Sequence, residues 1–187
     1  MDRHFKRSLR SHLNPEIVLY LLVVPLNRSL TSTVKMSQMF PTIVFFAGAC
    51  AGPSCFDPLA AIFKQEGYPT VYNTALSLNP SNPESVSTSE DASHARSEIL
   101  IPLLDEEKDV IIFVHSYGGV VGGQAAANLS KSLRVADGKK GGVIGLMYIV
   151  GNIVLEGETL LQAVGGEYPA FMKRNFVSVT LLAWTLQ

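Results

Sequence analysis

From residue 41 onward, short apolar runs alternate with stretches of helical period. "TIVFFAG" (42–48) is β-branched and aromatic and ends on Gly, the pattern of a buried strand. "SCFDPLAAIFKQEG" (54–67) sets Phe56, Leu59, Ala60 and Phe63 at helical spacing and closes on Gly67, which suits a helix C-terminus. "PTVYNTAL" (69–76) reads as a second strand, and "SLNPSNPESVSTSED" (77–91) as a polar, Pro-rich loop. "ASHARSEILIPLLDEE" (92–107) is helical, with Pro102 as an interruption. "DVIIFVH" (109–115) is the strongest strand pattern in the chain, and "YGGVVGGQAAANLSKSL" (117–133) follows it as one helix. "GKKGG" (138–142) is a turn, and "VIGLMYIVGNIV" (143–154) a further buried strand.

Strands alternating with helices predict an α/β domain with a mostly parallel sheet and helices on both faces. The near-continuous apolarity of the strands agrees, since a parallel sheet is covered on both sides. No internal repeat is visible.

Residues 1–38 do not share this rhythm. They begin with a basic stretch (Arg3, Lys6, Arg7, Arg10) followed by "IVLYLLVVPL" (17–26). A basic segment before a short apolar run has the form of a signal peptide, but the run is too short for a membrane span, which needs about 20 residues. "NRSLTSTVK" (27–35) offers a poor cleavage site, so a loosely attached extension is the simpler expectation. Met36 and Met39 just before the first strand are alternative starts. The domain reading is therefore an extension over 1–38, an α/β core over 39–174 and a divergent apolar tail over 175–187.

Composition narrows the function classes. The chain has 187 residues, 47% of them apolar and 17% charged, which fits a folded domain rather than a disordered one. A net charge of −1 argues against nucleic acid as the main partner. Cys50 and Cys55 do not make a disulfide framework or a zinc pattern, so neither metal nor cofactor is expected, and free thiols fit a cytoplasmic setting.

The candidate chemistry sits in "VHSYG" (114–118). Ser116 ends a strand and precedes a helix, which requires a sharp corner with the hydroxyl exposed above the sheet. Gly118 and Gly119 let the helix start close to the strand. Gly119, Gly122, Gly123 and Ala126 fall at i, i+3, i+4 and i+7, a small-residue stripe on which the helix can pack against the sheet. The helix N-terminus brings partial positive charge and free N–H groups to the serine. This is the nucleophile-elbow pattern G-x-S-x-G with Val114 in place of the first Gly, and the branched side chain should crowd the turn. A turn used only for packing, or one cradling phosphate, is the alternative. An oxyanion needs two backbone donors. Tyr117 supplies one by its place after the serine, and Ala49 in "AGACAG" (47–52) is the candidate for the other, with Gly48 and Gly52 allowing open backbone geometry.

With these residues in hand, the core resembles the α/β-hydrolase family, in its compact plant-esterase and hydroxynitrile-lyase-like branch as found in fungal hydrolases. The resemblance rests on "PTIVFFAGACAGPSCFDPL" (41–59), "GYPTV" (67–71), "LLDEEKDVIIFVHSYGGVVG" (103–122) and "GLMYIVGNIVLEGETLLQAVGGE" (145–167). It implies Ser116 as nucleophile, with Ala49 and Tyr117 as oxyanion-hole donors. The substrate it implies is a small ester, amide or lactone.

A serine nucleophile also needs a base and an orienting acid. No histidine follows Ser116; the four are His4, His12, His94 and His115. His115 should point to the opposite side of the strand from Ser116 and pack under the elbow or line the pocket, and His94 should lie at the surface. Asp137, Glu156, Glu158 and Glu167 are the acids that follow, with Glu156 and Glu158 at the entrance to a cap. The resemblance places acid and base on further strands, which implies a partial hydrolase fold truncated near the start of the cap, or a misspliced product. Two readings stay open. One is a serine hydrolase. The other is a non-catalytic, hydrolase-like fragment that binds a ligand or self-associates through an uncovered sheet edge, unless "VSVTLLAW" covers it. A dinucleotide binder is disfavoured, because "GACAG" does not give G-x-G-x-x-G after the first strand.

Overall fold

The computed structural model describes residues 40–82, 85–167, 172–175 and 178–181. The extension over 1–38, with His4 and His12, lies outside the described residues, as does most of the tail. The core is a four-stranded sheet in the order β2-β1-β3-β4, formed by Thr42–Phe46 (β1), Thr70–Asn73 (β2), Val110–Ser116 (β3) and Val143–Gly151 (β4). Every pairing is parallel.

Alternation of side chains along the inner strands divides two apolar layers. Val44 and Phe46 of β1 join Val110, Ile112 and Val114 of β3 on one face. That face packs against Thr88–Ala95 (α2), Ile101–Asp105 (α3) and Gly118–Ala125 (α4) through Ala92, Ala95, Leu104, Val121 and Ala125. The other face carries Ile43, Phe45 and Phe113 against Asp57–Gln65 (α1) and the short 3-10 turn Pro53–Phe56 before it. Aromatic rings fill this second layer. Phe45 lies 4.8 Å from Phe56 and 5.6 Å from Phe113 between centroids.

Three element boundaries differ from expectation, each for a local reason. The helix expected from residue 92 starts at Thr88, because Ser87 and Glu90 form a capping box. The Ser87 N–H donates to Glu90 Oε2 at 2.8 Å. The interruption at Pro102 is real but does not break the chain direction. Arg96–Leu100 widens into a π turn, with the Ile101 N–H donating to the Arg96 carbonyl. A proline lacks the N–H of a regular turn and its ring crowds the preceding carbonyl, and a wider turn relieves both. The single helix expected over 117–133 is two, α4 and Lys131–Ala136 (α5). Asn128 takes a left-handed φ of 60° between them, and Ser130 caps the second.

Beyond a short turn of helix at Leu160–Ala163 (α6), Met172–Asn175 (β5) and Ser178–Leu181 (β6) form a separate antiparallel pair. The described part of "VSVTLLAW" therefore pairs with β5 and not with β4. Among the described residues β4 has no partner on its outer side.

The small-residue stripe of α4 also divides. Gly122 meets the sheet, since a Cβ there would stand 2.7 Å from Val114 Cγ1. Gly119 and Gly123 instead face the chain leaving β4, with Asn152 O 2.4 Å and Tyr148 Oη 3.1 Å from their would-be Cβ atoms. Val114 thus fits at the elbow because Gly122 leaves it room. Gly122→Ala should cost about 1–3 kcal/mol by overpacking, offset by roughly 1 kcal/mol of helix propensity. In a Val114→Ala background the overpacking penalty should vanish. Urea unfolding of the four proteins reads this, and equal effects of Gly122→Ala in both backgrounds would refute the contact.

Candidate active site

The corner between β3 and α4 is built from a close backbone approach. A Cβ on Gly118 would lie 2.3 Å from the Phe46 carbonyl oxygen and 2.7 Å from that of Ala47, so only glycine lets the helix begin against the end of β1. To turn that fast the chain puts Ser116 at a φ of 50°, a conformation that L-residues rarely adopt. Ser116 is half-buried at the rim of the sheet. The Asn152 N–H donates to its carbonyl at 3.0 Å, which fixes the far side of the corner to the exit of β4. The ladder there is irregular: His115 pairs with Ile149 and Ser116 with Gly151, so Val150 bulges out at a φ of 47°.

The loop after β1 backs onto this corner. A Cβ at Gly48 would stand 3.2 Å from Ser116 Cβ and 3.1 Å from His115 Nδ1, and a glycine there lets the loop approach. The loop closes with the Ala51 N–H donating to the Gly48 carbonyl at 3.2 Å. Its left-handed residue is Cys50, at a φ of 61°, rather than either glycine; Gly52 has an ordinary φ of −68°. Gly48 and Gly52, expected to allow open backbone geometry, take no left-handed angle: Gly48 serves for proximity, and a Cβ on Gly52 would meet only Ser54 Oγ, at 3.8 Å. Ala49 and Tyr117 line the same shallow cleft, together with Gly48, Asn73, Ser77 and Gly118. Among the described residues no backbone acceptor takes the N–H of Ala49 or of Tyr117.

The remaining candidates lie elsewhere. His115 is exposed with its ring beside Gly48, so it does not pack under the elbow. His94 is half-buried on α2 rather than at the open surface. Asp137, Glu156 and Glu167 are exposed. Glu158 accepts a hydrogen bond from the Leu155 N–H at 2.9 Å, closing its own turn. Glu156 and Glu158 line a broad groove with Gly119, Gly123, Tyr148 and Ile153, on the side of α4 away from the Ala49 cleft. Ser116 Oγ has no hydrogen-bond partner among the described residues. Cys50 and Cys55 are free, exposed thiols.

Two polar residues of the site escaped the sequence reading. Asn73, at the end of β2, is 4% exposed and lines the cleft, and its Oδ1 lacks a hydrogen-bond partner among the described residues. Asp91, expected in the polar loop, is 0% exposed on α2. Its Oδ2 accepts the Tyr117 hydroxyl at 2.7 Å. The signal was present: Ser87-Thr88-Ser89-Glu90 is a capping box, and a helix starting there puts Asp91 and Ala95 one turn apart on its inner face.

No family model, curated protein or solved structure matches the chain. Among the described residues no helix is long and apolar enough to cross a membrane.

The Tyr117 phenol is pushed up from its ordinary value to about 12, first by burial; the Thr88 hydroxyl opposes this, the Asp91 carboxylate raises it further, and Ser77 lowers it slightly. The folded state then holds this proton more tightly than the unfolded chain. The associated stability is present below about pH 10 and is lost as pH rises towards 12. Tyr117→Phe should flatten the decline in unfolding free energy over that window. An alkaline urea-unfolding series identical in slope for both proteins would contradict it.

Proposed function

We propose that the chain is an α/β-hydrolase-like serine hydrolase whose nucleophile is Ser116, with the backbone N–H groups of Ala49 and Tyr117 as oxyanion donors. The observation that carries the reading is the strained corner: a serine at positive φ between a parallel strand and a helix whose first glycine touches the end of the neighbouring strand. A turn made only for packing gains nothing from placing a serine in that conformation. The substrate is a small ester, amide or lactone. Ser116 Oγ bonds to the carbonyl carbon and the leaving alcohol or amine departs with the proton that Ser116 gives up. Water then cleaves the acyl ester and restores the hydroxyl. Since no base is hydrogen-bonded to Ser116 among the described residues, turnover should fall about 10⁴-fold or more below that of a complete triad. The two exposed thiols fit a reducing, cytoplasmic setting.

A second reading is favoured by β4. Among the described residues it is a nine-residue edge strand, Val143–Gly151, with no charge and no proline, and Ile144, Ile149 and Val150 are exposed along it. Edge strands of monomers are ordinarily blunted by such residues. Self-association through β4 is the non-catalytic role this supports.

Two measurements test these readings. An active-site serine phosphonate should give a slowly formed adduct on the Ser116 peptide, absent from Ser116→Ala; folded wild-type protein with no Ser116-dependent adduct would sink the nucleophile. Sedimentation velocity over a concentration series should show a dimer that Ile149→Lys converts to monomer, and a wild type that stays monomeric throughout excludes association through β4.

A further inference from the structure

We infer that Asp91 is the positioning residue of this site: a buried carboxylate that holds the elbow backbone through the Tyr117 hydroxyl and ties it to the loop after β2 through Ser77. The inference rests on the reading of Ser116 as nucleophile and Tyr117 N–H as a donor.

The geometry is specific. Asp91 lies on the first turn of α2, fully buried, and its two oxygens collect donors from two other segments. The Ser77 N–H donates to Oδ1 at 2.9 Å and the Ser77 hydroxyl to Oδ2 at 2.5 Å. The Tyr117 hydroxyl donates to Oδ2 at 2.7 Å, and Thr88 Oγ1 lies 3.3 Å from the same phenol oxygen. Among the described residues no Lys or Arg forms an ion pair with Asp91. An ionised carboxylate buried without a cation is costly unless hydrogen bonds satisfy it, and an apolar residue would fill the same space at less cost. What the carboxylate adds is a fixed relation between its donors. Those donors come from two segments that both line the cleft: Ser77 from the loop after β2, and Tyr117 from the corner between β3 and α4. The residue whose side chain is clamped is also the one that follows Ser116, and among the described residues no backbone acceptor takes its N–H. A phenol anchored 2.7 Å from a buried anion leaves the Tyr117 backbone little freedom to rotate that N–H away.

The test uses the full chain with Tyr117→Phe, Asp91→Asn and the double variant, and two readouts. Phosphonate labelling of Ser116 should slow about tenfold to a hundredfold in each single variant, with unchanged half-saturation by the probe, as expected for misplaced donors rather than lost binding. The amides of residues 115–121 should exchange with deuterium about tenfold faster while those of β1 keep wild-type rates. In the double variant the two effects should not add, because Asp91 acts through Tyr117. Folded variants with wild-type exchange over 115–121, or additive effects in the double variant, would overturn the inference. If Asp91→Asn does not fold, Tyr117→Phe alone decides, since it keeps the carboxylate and removes only the tether. Absence of the Ser116 adduct in the wild type overturns the nucleophile reading, while the exchange comparison still decides the clamp.

Discussion

The approach of α4 to the end of β1 is the constraint on which the site depends. With Gly118 against the Phe46 and Ala47 carbonyls, the chain has no room for an ordinary strand exit, and Ser116 takes up the difference at a φ of 50°. Strain of roughly 1–3 kcal/mol at such a residue persists only when its surroundings fix it. Here β1 pairs with β3 along its whole length, and β3 is buried from Val110 through Val114 apart from a half-buried Ile111. The consequence reaches β4. Gly151 sits opposite Ser116, where a Cβ would lie 2.7 Å from the Tyr148 ring, and the register shift before it leaves Val150 bulged, a β-branched residue 86% exposed at a φ of 47°. Two strained residues, Ser116 and Val150, thus stand on neighbouring strands at this corner.

Much of this was legible in the sequence for a physical reason. β1 and β3 are short, apolar and β-branched, and nothing local competes with that signal. The sharp corner after β3 was legible because paired glycines directly after a strand mark a helix that starts close to the sheet. The break after α4 was hidden by composition: "GGQAAANLS" contains five helix-favouring residues, and only Asn128 and Ser130 mark a stop and a new cap. The role of Gly48 was misread because glycine serves both unusual backbone angles and close approach, and sequence does not distinguish them. Asp91 was illegible as a buried group, since an acid in a Ser-rich stretch is usually solvated. Its partners Ser77 and Tyr117 are 14 and 26 residues away.

On the proposed reading, the corner at Ser116 and the Asp91 hydrogen bonds would divide the labour differently from a site organised around a histidine. The N-terminus of α4 favours negative charge near Ser116 by at most about 2 kcal/mol. A positioned base contributes about 10²–10⁴-fold, or roughly 3–5 kcal/mol, and acts on the proton that the dipole leaves in place. Helix and backbone donors can therefore hold an oxyanion once it forms, but they do little to make serine a nucleophile. Reactivity should then depend on the electrophile. A phosphonate with a good leaving group needs no general acid, but attack on it still requires the serine proton to leave, so labelling should be slow rather than absent. An ester or amide expels a poor leaving group that must be protonated, and there the missing base costs most. Labelling of Ser116 and turnover of an ester are for that reason separate properties of this site. On the proposed reading, the first would report the backbone frame around Gly118, Tyr117 and Asp91, and the second a proton relay that the described residues do not contain.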